Sequence, residues 1–376
     1  MSGPSFAVEL TRRLVRENTI NPPGNESRCM AIVVPILREL GFTLAEHRFA
    51  DGRRNLVARL GRDTDRPPLA FTGHVDTVPL GASPWTRDPF AAEIDGDRLY
   101  GRGSTDMKSG VAAFIDACRR RRDAIASSCG VVLYIMVAEE TGCEGSIALA
   151  AEPALVGRAG ALVVAEPTAN YPLVGHKGAL WLRAVADGVT AHGSMPEKGV
   201  NAVMKAARAA VRLDDFDFNV ERHEVLGAPT LNVGNFHGGL NVNSVPDRAE
   251  INLDIRTIPG QAHQRVMEVV ADAMGEDVSL QKVLDVEAIW TSPGDPWMAR
   301  IFAIMAALIE EKPVARGAAY FTDGGPLRRA LGGVPTVILG PGEPHLAHQT
   351  DEFCLVSRID QAVEAYTQII DDWCGR

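Results

Sequence analysis

Five stretches of this chain carry side chains able to hold a metal. They are Gly73-His74-Val75-Asp76, Ser104-Thr105-Asp106, Ala138-Glu139-Glu140, Ala165-Glu166-Pro167 and Ala347-His348. Histidine and carboxylate together suit zinc, manganese or cobalt. In His74-Val75-Asp76, alternate residues of a strand point to one side. One ring nitrogen of His74 can then bind a metal while Asp76 accepts a hydrogen bond from the other, which fixes the tautomer. Asp106 opens a helix, where an aspartate is also a natural N-cap; lying between other candidate ligands, it suits a bridging carboxylate. Glu139 and Glu140 are adjacent, so one can bind a metal while the other stays free as a base for water. The same pair could equally be two solvated glutamates at a strand end.

These residues need elements to bring them together. His74 follows the run Pro68–Thr72, Glu139 and Glu140 follow Val131–Val137, Glu166 follows Ala161–Ala165, and His348 lies beyond Pro335–Leu339. Short unbroken apolar runs read as strands buried on both faces of a helix-covered, mostly parallel sheet. Ligands of open α/β sheets gather beyond the carboxyl ends of the strands. Four such ends therefore predict one crevice. Helices are predicted over Phe6–Arg16, Met30–Leu40 and Met107–Arg122, and Asn55–Leu60 reads as a further strand.

Between residues 176 and 286 the pattern changes. Strands over Ala179–Ala186, Pro229–Phe236, Arg248–Thr257 and Val278–Val286 and helices over Asn201–Leu213 and Pro259–Ala273 give the order β-α-β-β-α-β. The prediction is an α/β catalytic domain (1–175 and 287–376) carrying an inserted α+β domain (176–286). At 376 residues two domains are the expectation. The 38 basic and 48 acidic residues leave a net charge of -10, which argues against nucleic acid as a partner. No apolar run is long enough for a membrane helix, and the first residues do not read as a secretory signal, so a cytoplasmic protein is expected. The six cysteines form no C-x-x-C pair and are expected as free thiols.

The blocks Gly73–Pro79, Gly101–Gly110, Ala138–Gly142, Glu166–Thr168 and Gly340–Glu352 together resemble the co-catalytic zinc metallopeptidase family of acetylornithine deacetylase and succinyl-diaminopimelate desuccinylase, which also holds aminoacylases and glutamate-releasing carboxypeptidases. The resemblance runs through nearly the whole chain in the expected order. It implies two divalent metals, zinc first, with cobalt or manganese as alternatives. His74 and Glu166 would bind one, Glu140 and His348 the other, and Asp106 would bridge them, followed by a cis peptide to Met107. Asp76 would orient His74, and Glu139 would be the general base. The inserted domain would act as a lid and join a homodimer, with His192 reaching the partner's site and Arg256 and Asn243 binding the substrate carboxylate. The implied reaction is cleavage of the amide bond of an N-acyl amino acid. A dipeptidase or carboxypeptidase acting on short peptides is the near alternative, and a non-catalytic dimeric scaffold the remote one. The resemblance assigns no role to His176; Phe321–Pro326 resembles a substrate-side loop, Cys143 reads as a packing residue and His345 as a loop side chain.

Overall fold

The computed structural model describes residues 3–375, which divide into two compact units. The first comprises the chain through Gly175, Trp290–Arg316 and the chain from Thr322 onward. Its sheet contains β1 (Thr43–Ala50), β2 (Arg53–Leu60), β3 (Leu69–His74), β4 (Val131–Met136), β5 (Ala161–Val164) and β10 (Thr336–Ile338), in the spatial order β1-β2-β4-β3-β5-β10. The four strands from β4 to β10 run parallel, and β1 and β2 add antiparallel pairings, so the sheet is mixed.

Every residue of β3, β4 and β5 is buried, because helices cover both faces. On one face Phe71 packs against Phe114 of α3 (Ser109–Arg120) and Tyr366 of α7 (Val356–Cys374), with ring centroids 5.8 and 5.4 Å apart. On the other, Ala70, Val132, Tyr134, Leu162 and Ile338 form a core with Leu149 and with Leu327 of α6 (Gly324–Ala330). Two further helices are α1 (Phe6–Val15) and α2 (Ser27–Glu39). The sequence pattern predicts no strand at β1, whose residues are at most half-buried. The pattern predicts one helix over Met107–Arg122, whereas α3 ends at Arg120 and is preceded by one wide turn, Ser104–Lys108.

The second unit is His176–Ile289 with the short stretch Gly317–Phe321. It contains β6 (Gly178–Asp187), α4 (Ala202–Val211), β7 (Thr230–Gly238), β8 (Arg248–Thr257), α5 (His263–Met274) and β9 (Ser279–Val286). Its sheet is antiparallel throughout, ordered β7-β8-β6-β9. Strand period 2 decides which residues meet the helices: Leu180, Leu182, Ala184 and Ala186 of β6 and Ala249, Ile251, Leu253 and Ile255 of β8 form one core with Ala202, Ala206 and Ala209 of α4 and Val266, Val270 and Met274 of α5. Among the described residues no helix is long and apolar enough to cross a membrane.

Candidate metal centre

Parallel pairing of β4, β3, β5 and β10 sets four carboxyl ends side by side. His74 is the last residue of β3, Glu139 and Glu140 follow β4, Glu166 follows β5, and the loop after β10 carries His348. The His74 ring is buried, with Nε2 lying 3.3 Å from Asp106 Oδ1, 3.8 Å from Glu166 Oε1 and 3.9 Å from Glu139 Oε2. His348, more exposed, places Nε2 3.1 Å from Glu140 Oε2 and 3.5 Å from Asp106 Oδ2. Asp106 thus turns one oxygen to each histidine. Ligand atoms of His74, Asp106 and Glu140 lie within 4.8 Å of one another, as do those of His74, Glu139 and Glu166.

The loop bearing Asp106 is held by a carboxylate that sequence reasoning passed over. Glu352, fully buried, accepts hydrogen bonds from the backbone of Gly103, Thr105 and Asp106 and from Arg102 Nη1 at 2.6 Å. The peptide after Asp106 is cis. Gly110, at the start of α3, leaves no room for a β-carbon against the Ala165 carbonyl, so α3 can lie directly on the strand leading to Glu166.

Asp76 does more than its spacing suggests. His74 Nδ1 is 3.0 Å from the Asp76 carbonyl oxygen and 3.5 Å from its carboxylate. The carboxylate also accepts from the backbone N–H groups of Glu139 and Glu140, each at 3.2 Å, and from Asn21 Nδ2 at 2.9 Å. These two N–H groups at the end of β4 point into the interior and need an acceptor. One residue therefore fixes the His74 ring and the glutamate pair together.

The site is strongly anionic. Asp106, Glu139, Glu140 and Glu166 contribute four carboxylates against two imidazoles. Burial raises the pKa values of Glu139, Glu140 and Glu166, and neighbouring carboxylates raise them further. The carboxylates of Asp106 and Glu140 hold the His348 imidazolium up to about 10. Asp106 Oδ1 and Glu140 Oε1 are buried without a hydrogen-bond partner. Unpartnered oxygens, a charge excess that two divalent cations would cancel, and mixed imidazole and carboxylate donors all fit a pair of metal ions.

Residues 70–372 match the description of peptidase family M20/M25/M40. The acetylornithine deacetylase of Proteus mirabilis is 32% identical, over 99% of this chain and 97% of that protein. That of Photorhabdus laumondii is 30% identical, over 99% and 98%. Among solved structures, an M20 metallo-carboxypeptidase from Sulfolobus solfataricus superimposes with a TM-score of 0.80 at 18% identity, covering 99% of this chain and 100% of that one. A dinuclear metal-binding M20 peptidase from Bacillus subtilis gives 0.70 at 15%, covering 97% and 96%.

The chain belongs to peptidase family M20/M25/M40.

As an M20 member it is a metal-dependent amidohydrolase with a two-metal centre. Around that centre lies a residue the sequence reading did not single out, Asp323, just before α6. It is 1% exposed, near the Ser146 hydroxyl and the Cys143 thiol. Burial pushes its pKa up to about 7, against the pull of His74, Ser146 and Cys143. The stretch Phe321–Pro326 resembles a substrate-side loop as a whole, but an aspartate ahead of Gly324-Gly325-Pro326 reads by itself as a turn or helix cap. Cys143, also buried, donates from Sγ to Glu139 Oε1 at 3.5 Å; burial and the Glu139 charge keep it a thiol. His345 is an exposed loop side chain 3.9 Å from Glu343. His176 is buried, with Nδ1 2.8 Å from the Lys177 carbonyl.

The remaining candidates lie in the second unit of this M20 chain. His192 Nδ1 lies 2.7 Å from Ser194 Oγ and 3.2 Å from the Ser194 backbone nitrogen, so Ser194 holds this side of the ring. The segments of His192 and Asn243 adjoin, joined by the Gly193 N–H to the Asn243 carbonyl at 2.7 Å. Arg256 is paired within its own strand: Nε lies 2.9 Å from Asp254 Oδ1 and Nη2 donates to Oδ2 at 3.1 Å.

Proposed function

We propose that this M20 member removes the acyl group from an N-acyl amino acid, with the two metals divided between His74 and Glu166 on one side and His348 and Glu140 on the other. The observation that carries the reading is the Asp106 carboxylate, which offers one oxygen to each histidine. The acetylornithine deacetylases aligned along almost the whole chain favour an acylated amino acid over a longer peptide.

Two divalent cations, zinc in the first place, would supply Lewis acidity and lower the pKa of a bound water. The protein's own groups do the rest. Glu139 takes a proton at Oε2 from the attacking water and delivers it to the leaving amine nitrogen. A carboxyl raised by burial suits a group that must hold and then release a proton near neutral pH. The Cys143 thiol fixes Oε1 and so aims Oε2. His192, with Nδ1 held by Ser194, turns Nε2 to the oxyanion from the partner subunit of a homodimer; such donors contribute about 3 to 4 kcal/mol. Arg256 binds the amino-acid carboxylate through the part of its guanidinium that Asp254 leaves open, and Asn243, from the segment adjoining His192, is the second residue this reading assigns to that carboxylate.

The second unit is also the dimerisation element in this reading. Its edge strand β7 has one neighbour and exposes Val233 and Phe236, and α4 exposes Met204 and Val211. An unpaired edge beside exposed apolar side chains is what a second copy would cover.

The test is hydrolysis of a panel of N-acetyl, N-succinyl and N-carbamoyl amino acids and dipeptides by the metal-reconstituted protein. Turnover of acylated amino acids well above dipeptides is expected. Preference for dipeptides would replace the deacylase reading with a peptidase one, and no turnover with both metals bound would overturn the catalytic reading.

A further inference from the structure

The stretch that follows α1 reaches three of the segments that carry candidate ligands. Lys108, two residues after Asp106 and fully buried, donates from Nζ to the carbonyls of Leu14 at 3.0 Å and Glu17 at 2.9 Å. A buried ammonium needs such acceptors, so the end of α1 is tied to the Asp106 turn. Thr19, Ile20 and Asn21 then run parallel to residues 75–77, where the chain leaves β3. The Thr19 hydroxyl donates to the Val75 carbonyl at 2.6 Å, the Thr77 N–H to the Thr19 carbonyl at 3.1 Å, and the Asn21 N–H to the Thr77 carbonyl at 2.8 Å. Pro22 and Pro23 have no N–H with which to continue the pairing.

Asn21, itself buried, is where this brace meets the chemistry. Its Nδ2 carries two hydrogens, and both are used: one goes to Asp76 Oδ2 at 2.9 Å, the other to Thr141 Oγ1 at 3.3 Å. Asp76 Oδ2 also accepts from the Glu140 N–H, and Oδ1 from the Glu139 N–H. One amide therefore links the stretch after His74 to the stretch after Glu140. Its orientation is forced. Turned over, the amide would set its carbonyl oxygen against a buried carboxylate with no donor between them. A neutral donor also differs from a cation here: it holds the Asp76 carboxylate in place and leaves its negative charge to the His74 ring, 3.5 Å away.

We propose that Asn21 is a positioning residue of the metal centre: by holding the Asp76 carboxylate and the Thr141 hydroxyl together, it sets the His74 ring for its cation and Glu139 for its proton transfer. Residue 21 lies ahead of the stretch 70–372 that matches peptidase family M20/M25/M40, so the matched stretch does not contain it. The catalytic half of the inference rests on Glu139 as the general base of the proposed deacylase. The half that concerns His74 does not depend on the substrate.

The probe is cobalt(II), titrated into metal-free wild type, Asn21→Leu and Asn21→Ala in competition with a coloured chelator. Leucine keeps nearly the volume of asparagine and removes both donors; alanine, which is smaller, decides the matter if leucine is not accommodated. Loss of a group that orients a ligand weakens metal binding by about 10- to 100-fold. Asn21 acts one bond further out, so a loss of about tenfold is expected. On whichever acylated amino acid the wild type hydrolyses, kcat should fall about tenfold with KM unchanged. In an Asp76→Ala background, Asn21→Leu should weaken cobalt binding no further, because the residue acts through that carboxylate. Cobalt affinity equal to wild type in both variants would overturn the proposal, even with a lower Tm, and would make Asn21 a packing residue. An undiminished effect in the Asp76→Ala background would overturn it too. Cobalt binding needs no substrate, so the two readings fail separately: absence of turnover by the wild type strikes the deacylase reading, and unchanged affinity in the variants strikes this one.

Discussion

At the scale of the residue, the assignment of Glu139 as a base and Glu140 as a ligand separates two measurements. Glu139→Gln is expected to lower kcat by about 10² to 10⁴, the usual span for a lost general acid–base group. Metal content, read by mass spectrometry of the ions, should stay at two; a variant that loses metal instead would make Glu139 a ligand. Cys143 permits a finer test because its backbone sits at φ 58°, where glycine is at ease. Cys143→Gly therefore relieves backbone strain while deleting the thiol that holds Glu139 Oε1. The expected outcome is unchanged or higher Tm with kcat lowered about fivefold, the worth of roughly 1 kcal/mol; serine, another donor, should recover part of the loss. If kcat is unchanged in the glycine variant, the thiol only packs. Metal uptake carries its own pH signature. Asp106 and Glu140 hold the His348 imidazolium up to about 10, so in the metal-free protein the ring is protonated at neutral pH and must give up that proton to bind a cation. Zinc added to weakly buffered, metal-free protein should release protons, and apparent affinity should rise with pH up to that value. A pH-independent affinity would contradict this. That His74, Asp106, Glu139, Glu140, Glu166 and His348 would meet was legible from residue type and from their places beyond strand ends. Asp323, Glu352 and the second duty of Asp76 were not, because each acts on backbone or side chains far away in the sequence.

Among elements, legibility follows burial. The strands β3, β4 and β5 are apolar throughout because both faces are covered, and β8 matches its predicted span because its faces alternate cleanly. β1 escaped because it lies at the sheet edge, where exposed and half-buried residues share the strand and periodicity fades. The wide turn at Ser104–Lys108 escaped because contacts with Glu352 shape it, not local propensity. In the second unit a polar strap ties strands to a helix. The Thr257 hydroxyl lies 2.8 Å from His263 Nε2, and His263 Nδ1 lies 2.6 Å from Asp285 Oδ1. The histidine holds the Asp285 carboxyl well below its usual range. That contribution is fully present above the ordinary carboxylate pKa and is lost as pH falls through the depressed value. Thr257 is fully buried and His263 nearly so, which leaves their polar atoms no water to fall back on. His263→Leu should cost about 1 to 3 kcal/mol in urea unfolding at pH 7. A loss below about 0.5 kcal/mol would mean that the apolar core of this unit carries its stability without the strap.

For the whole molecule, the reading makes one demand that neither unit can meet alone. Glu139 belongs to the first unit and His192 to the second. In the dimer proposed above, each active site takes its base from one subunit and its oxyanion donor from the other. Glu139→Gln and His192→Ala should each impair the homodimer. Co-expressed with different tags and purified through both, the two variants form a heterodimer in which one site has lost both groups and the other has neither mutation. That second site should work at the wild-type rate. In a statistical mixture half the dimers are of this kind, so about a quarter of all sites should be active. If His192 instead served its own chain, every site in the heterodimer would lack one group, and the purified heterodimer would be no more active than its parents. Sedimentation must first show that the tagged species is a dimer, since a monomeric protein with full activity would exclude a shared site. The arithmetic separates the arrangements without relying on the size of either single defect, because recovery requires a base and a donor from different chains to meet.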